Sequence, residues 1–200
     1  MRKWLKPKQN PEEYARLAAE LTALLKLEDE NKIKLYFADE SGFSLNPTIP
    51  YGWQPIGETI GIVPQKSKRL NVFGLMNRQN DFVSYSTTQT IDAKTIVANL
   101  DDFASKITGQ TVVVMDNATI HKAGIVKEKI KEWAEKGMTI WHLPTYSPNL
   151  NIIETLWRKI KYEWLKPQDY FNWVVFENAI NKILVDVGTI RTIILSLIHI

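Results

Sequence analysis

Two hundred residues with 44% hydrophobic side chains suit one globular domain with a sizeable core, and they exclude a disordered or collagen-like chain. Cysteine is absent, which excludes disulfides and thiolate metal sites and fits a reducing compartment such as the cytoplasm. The net charge is only +3, so a nucleic-acid surface would have to come from local clustering of Lys and Arg. No secretory leader is legible, and no apolar run is long enough for a membrane partner.

Met1 to Pro11, with Arg2, Lys3, Lys6 and Lys8, reads as a solvated arm or linker, or as a DNA-contacting arm. Pro11 opens a helix whose apolar stripe is Tyr14, Leu17, Leu21, Leu24 and Leu25, with Glu12 and Glu13 in its first turn. Ile33 to Ala38 is a strand that runs into Asp39. Alternation puts Leu35, Phe37 and Asp39 on one face and Lys34, Tyr36 and Ala38 on the other, which sends Glu40 away from Asp39. Gly42 to Lys68 is a Pro- and Gly-rich loop or small hairpin, where Trp53 is a local core anchor or a base-stacking group. Lys66, Lys68 and Arg69 precede a strand, Leu70 to Met76; the cluster suits a phosphate backbone or is routine surface charge. Asn77 to Asp81 is turn chemistry, and Phe82 to Thr87 returns as a strand.

Asp92 to Ile107 is a helix ended by Gly109. Thr111 to Asp116 follows as the central strand. Its run Val112 to Met115 is buried on both faces and ends in Asp116-Asn117, where open α/β sheets place ligands, although a turn or cap Asp is the alternative. Val126, Ile130 and Trp133 mark the next helix, closed near Gly137, and Met138 to His142 is the last strand, stopped by Pro144. Ile153, Leu156, Trp157, Ile160 and Trp164 form the buried stripe of a further helix. Glu154 lies off that stripe on one face with Arg158 and Lys161, which suits a metal beside a phosphate backbone; an ordinary ion pair and an Asn151…Glu154 capping box are the alternatives, favoured by this helix alone and not once the other motifs are counted. Gln168 to Val187 is the last helix, capped by Gly188.

Two strand-end carboxylates, Asp39 and Asp116, and one helix carboxylate, Glu154, can share a pair of hard divalent cations. No histidine pair has zinc-helix spacing, and no G-x-S-x-G or G-x-x-x-x-G-K motif is present.

These residues also carry a resemblance. Asp39-Glu40 after a strand, Asp116-Asn117 with His121, and Leu143-Pro144, Tyr146-Ser147-Pro148, Leu150-Asn151, Glu154, Trp157 and Lys161 resemble DDE transposases of the mariner superfamily, above all the branch of bacterial insertion sequences. The likeness runs from Ile33 to Lys166. It implies an α/β, ribonuclease-H-like three-layer fold with a mixed five-stranded sheet flanked by helices; the element pattern alone gives only an α/β fold with a mixed sheet. It further implies metal-dependent DNA cleavage and strand transfer in DNA transposition, with Asp39, Asp116 and Glu154 holding two Mg2+ or Mn2+ ions. Arg158, Lys161, Lys66, Lys68 and Arg69 would contact DNA, and Asn117 and His121 would stand behind the metal ligands. The implied partners are double-stranded DNA, as transposon ends and target, and a second copy in a homodimer, in the cytoplasm at the nucleoid. The family's L-N-P-I-E reads L-N-I-I-E here, with Ile152 for Pro. Residues 1–30 are then an arm and helix leading from a DNA-reading domain that is missing, 31–188 the catalytic domain, and 189–200 an atypical apolar tail. Two other readings share the pattern: an inactive truncated remnant that only binds DNA or a partner, and a structure-specific nuclease of the same fold.

Overall fold

The computed structural model describes residues 10–46, 55–57 and 68–194. Helix α1 (Pro11–Asp29) starts where the sequence places it, because Asn10 Oδ1 accepts from the backbone N–H groups of Glu12 and Glu13 at 3.1 and 3.3 Å. Strand β1 (Lys34–Ser44) follows, then β2 (Arg69–Met76) and β3 (Phe82–Thr87). Asp92 caps α2 (Ala93–Lys106) by accepting from Thr95 N at 2.8 Å. Strand β4 (Thr111–Met115), a 3-10 turn (Thr119–Lys122), α3 (Gly124–Glu135) and β5 (Met138–His142) complete the central part. Helix α4 (Ile153–Lys159) continues into a π turn (Ile160–Trp164), and α5 (Trp173–Asp186) closes the fold. Among the described residues, no helix is long and apolar enough to cross a membrane.

The five strands form one mixed sheet in the order β3-β2-β1-β4-β5, antiparallel across β3, β2 and β1 and parallel across β1, β4 and β5. Strand alternation sorts the core into two layers. Leu35, Phe37 and Val114 face α1, α4 and α5, where Leu21, Leu156, Trp157 and Phe176 meet them. Tyr36, Ala38, Val113 and Met115 face α2 and α3, where Ile96, Leu100 and Trp133 cover them. Each fully buried side chain of this size contributes about 1.5–3 kcal/mol, so the docking of α4 rests on Ile153, Leu156, Trp157 and Ile160.

Several sequence expectations are corrected. Strand β1 does not end at Asp39. It continues to Ser44, because β2 pairs with it antiparallel from Phe37↔Met76 through Ser44↔Arg69. The stripe of α4 does not run on to Trp164. The π turn inserts one residue, so the buried positions are Ile160 and Leu165, and Trp164 is displaced to the half-buried edge. The last helix starts at Trp173 rather than Gln168, since Pro167–Tyr170 forms a separate 3-10 turn and Asn172 Oδ1 accepts from Val175 N at 3.0 Å. Ile130 on α3 is 40% exposed and does not belong to the core. Residues 1–9, Trp53, Lys66 and 195–200 lie outside the described residues.

Gly74 in β2 sets the seat of α4. A Cβ there would lie 2.8 Å from Trp157 Cη2 and 2.9 Å from Phe82 Cε2, against rings that are packed edge to face. We expect Gly74→Ala to destabilise the domain by about 1–3 kcal/mol through overpacking, measured by urea unfolding. An unchanged midpoint would show that α4 is not held by this contact.

Candidate active site

Parallel pairing of β1 and β4 runs from Lys34↔Thr111 to Phe37↔Val114. Two residues beyond that last pair come Asp39 on one strand and Asp116 on the other. Both therefore emerge at the end of β4, on the face of the sheet covered by α4, as Phe37 and Val114 do. Glu154 enters from the first turn of α4. All three carboxylates line one cleft of about 310 Å³, together with Asn117, Tyr146 and Asn151.

The carboxylates feel one another. Burial pushes Asp39 well above the usual carboxylate range, and the charges of Glu154, Glu40 and Asp116 push the same way. Burial also raises Glu154, with Asp116 adding to it and Lys161 and Arg158 opposing it. Asp116 behaves differently. Burial disfavours its charge, but hydrogen bonds from His121 and the Ala118 N–H, at 2.9 Å, outweigh burial and hold it below the ordinary value. Among the described residues, no three Asp, Glu or His side chains are gathered tightly enough to hold a metal ion as they stand.

His121 is 1% exposed and makes two ion-pair contacts. Its Nδ1 lies 2.8 Å from Asp116 Oδ1 and its Nε2 lies 2.7 Å from Glu40 Oε1. Burial opposes its charge, yet the two carboxylates push its pKa up to about 10, so it is an imidazolium at neutral pH. Alternation does send Glu40 away from Asp39, but not into an idle position. The 3-10 turn after β4 folds His121 back beneath the sheet edge, where it bridges Glu40 to Asp116.

Three further contacts were not legible in the sequence. Trp157, placed there on the apolar stripe and in the family motif but given no polar role, donates through Nε1 to Asp39 Oδ2 at 3.1 Å. His142 Nδ1 lies 3.1 Å from the Asp116 carbonyl oxygen. Asn151 and Glu154 do not form a capping box: Ile152 is the N-cap without a side-chain cap, and Asn151 Nδ2 instead donates to the Ala38 carbonyl at 3.3 Å. Ile152 has φ −64°, the value a proline would impose, so the L-N-I-I-E departure costs the backbone nothing.

Two cations, Lys161 and Arg158, are close enough to Glu154 to act on its charge. Lys161 is half-buried, with Nζ 5.4 Å from the centre of the Phe43 ring. Burial lowers its pKa, while Glu154 and Asp39 raise it and Arg69 lowers it. Arg69 lies across Gly42 so closely that a Cβ there would sit 1.8 Å from its Nε. Arg158 and Lys68 are exposed.

The mixed five-stranded sheet flanked by helices is the ribonuclease-H-like fold, shared with solved transposase and integrase catalytic domains. The chain belongs to the DDE superfamily endonucleases, whose family description matches residues 34–173. The mariner Mos1 paired end complex with Mg is similar in fold at 13% identity and a TM-score of 0.59, over 88% of this chain and 55% of that one. The catalytic domain of Mos1 mariner transposase matches at 10% identity and a TM-score of 0.53, over 88% of this chain and 82% of that one. The catalytic core domain of BIV integrase matches at 13% identity and a TM-score of 0.50, over 80% and 86%. The chain thus spans little more than half, 55%, of the Mos1 chain in the paired end complex. No curated protein matches.

Proposed function

We propose that this chain is a transposase catalytic domain that cleaves DNA phosphodiesters and transfers the freed strand with the help of two divalent cations, Mg2+ or Mn2+. The observation that carries the reading is that Asp39, Asp116 and Glu154, far apart in sequence, line one cleft. The donor set fits such ions: it is all oxygen, partly buried and mutually repelling, and hard cations relieve that repulsion. Asp39, Asp116 and Glu154 would hold them. Bound there, the ions supply Lewis acidity at the attacking and leaving oxygens of an in-line displacement.

The chain's own residues do the rest. His121 holds Asp116 ionised and fixed in direction. Trp157 holds Asp39 in place through its indole N–H. Lys161 presents positive charge beside Glu154 and Asp39, where a phosphate group would lie, and Arg69 near Lys161, with the exposed Arg158 and Lys68, would extend that surface along a DNA backbone. The Mos1 paired-end complex with left transposon end supports a transposon-end DNA partner, and the Mos1 paired end complex with Mg supports the cation.

Two expected results test this. The purified chain nicks supercoiled DNA with Mg2+ or Mn2+ and not with chelator; folded protein with no nicking under any divalent cation would favour the inactive binding remnant. Cation binding should also release protons, since Asp39 and Glu154 keep theirs above the ordinary range. Affinity for Mn2+ therefore falls as the pH drops through those raised values. Calorimetry in buffers of different ionisation enthalpy, repeated at falling pH, reads the released protons directly, and an affinity that does not fall with pH would remove these two groups from the site.

A further inference from the structure

Asn151 is 4% exposed and lies in the turn just before α4, with its Nδ2 donating to the Ala38 carbonyl of β1 at 3.3 Å. Asn117 follows Asp116 and donates through Nδ2 to the Leu143 carbonyl at 3.0 Å. These two bonds fix both amides, because turning either one would set its Oδ1 against a carbonyl oxygen. Both Oδ1 atoms are then buried without a hydrogen-bond partner, and both residues line the cleft that holds Asp39, Asp116 and Glu154. Folded proteins leave few buried acceptors unsatisfied, so two in one cleft call for a donor, either an enclosed water or a group that arrives with a ligand.

The chemistry of the cleft narrows the donor. Three carboxylates repel anions, and a phosphate group brings acceptors, not donors. A hard divalent cation keeps part of its water shell when bound, and its charge makes each of those waters a strong hydrogen-bond donor. We propose that Asn151 and Asn117 are positioning residues that accept hydrogen bonds from the water shell of a divalent cation held by the carboxylates. They grip the cation from outside while the carboxylates bind it directly. This rests on the metal-site reading above and adds to it a residue, Asn151, that spacing alone assigns to a helix cap.

The test is Mn2+ alone, titrated without DNA into the metal-free chain and followed by the electron paramagnetic resonance of the free ion. The parent is compared with Asn151→Leu, Asn117→Leu and Asp39→Asn, each checked for folding by circular dichroism and melting. Asn117 is only half-buried, so its variant keeps the test open should Asn151→Leu not fold. The expected result is a loss of Mn2+ affinity of about tenfold in each asparagine variant, the scale on which outer-shell partners act. Hexaamminecobalt(III), which carries fixed N–H donors in place of exchangeable waters, should compete with Mn2+ in the parent and compete less well in both asparagine variants. Unchanged Mn2+ affinity in folded asparagine variants, with a loss in Asp39→Asn, overturns the outer-shell role and leaves the metal site standing. Unchanged affinity in all three overturns the metal site itself. Weaker Mn2+ binding with undiminished hexaamminecobalt(III) competition overturns the outer-shell role in favour of direct ligation.

Discussion

Asp39→Asn is expected to lower metal-dependent DNA cleavage by at least about a thousandfold, on the order of 4 kcal/mol of transition-state stabilisation. The same substitution should stabilise the metal-free protein. Asp39 stands where burial, Glu154, Glu40 and Asp116 all disfavour its charge. The sign follows from the raised pKa. A carboxylate that binds its proton more tightly when folded lowers stability as the pH rises past its unfolded value, and the penalty is complete above the folded one. Asparagine has no charge to bury, and its carbonyl oxygen still accepts the Trp157 indole N–H that reaches Asp39 at 3.1 Å. A gain of about 1 kcal/mol would raise the melting temperature by roughly 2–4 °C for a domain of this size. Added Mn2+ should raise the parent's melting temperature by linkage and leave the variant's almost unchanged. Melting curves at neutral pH, with and without Mn2+, measure both effects. A variant that melts lower than the parent without metal would show that Asp39 is a structural carboxylate, and one that still cuts DNA would remove it from the reaction.

The lining of the candidate cleft shows which of its residues sequence could disclose. Asp116 was legible because β4 is a short apolar run buried on both faces, and a carboxylate directly after such a run marks the ligand edge of a parallel sheet. Asp39 was legible by alternation with Leu35 and Phe37, although the strand does not end there. Its continuation to Ser44 depends on pairing with β2, a partner that starts 25 residues after Ser44, and no local pattern contains that information. Glu154 was legible by its place off the apolar stripe. The supports were not. Trp157 does occupy the stripe, and its indole N–H meets Asp39 only because Gly74 across the sheet leaves room for the ring. Asn151 has capping-box spacing, and only the closeness of the turn to β1 diverts its amide to the Ala38 carbonyl. Spacing thus gave the residues that face the cleft, while those behind them needed the third dimension.

Glu40 and His121 are the sharpest instance, and they carry the second large effect. His121→Ala is expected to destabilise the domain by about 3 kcal/mol, since it leaves a half-buried carboxylate without its counter-charge and empties a buried site. The loss should fall on the Glu40 side of the bridge. The Glu40 side chain is 22% exposed, whereas that of Asp116 is 51% exposed and can turn to water. At roughly 2–4 °C per kcal/mol, the melting temperature should drop by about 6–12 °C. His121→Ala combined with Glu40→Gln should recover part of the loss, because the amide has no charge to leave stranded. The pH dependence separates this from a simple cavity. His121 has its pKa raised from 6.5 to about 10 in the folded protein, so its contribution is complete below the unfolded value and disappears as the pH rises through about 10. The gap in melting temperature between parent and His121→Ala should therefore be widest in mild acid and neutral solution, and narrow steadily in alkali. A gap that stays constant from neutral to alkaline pH would mean that His121 fills space beneath Asp116 without holding it by charge.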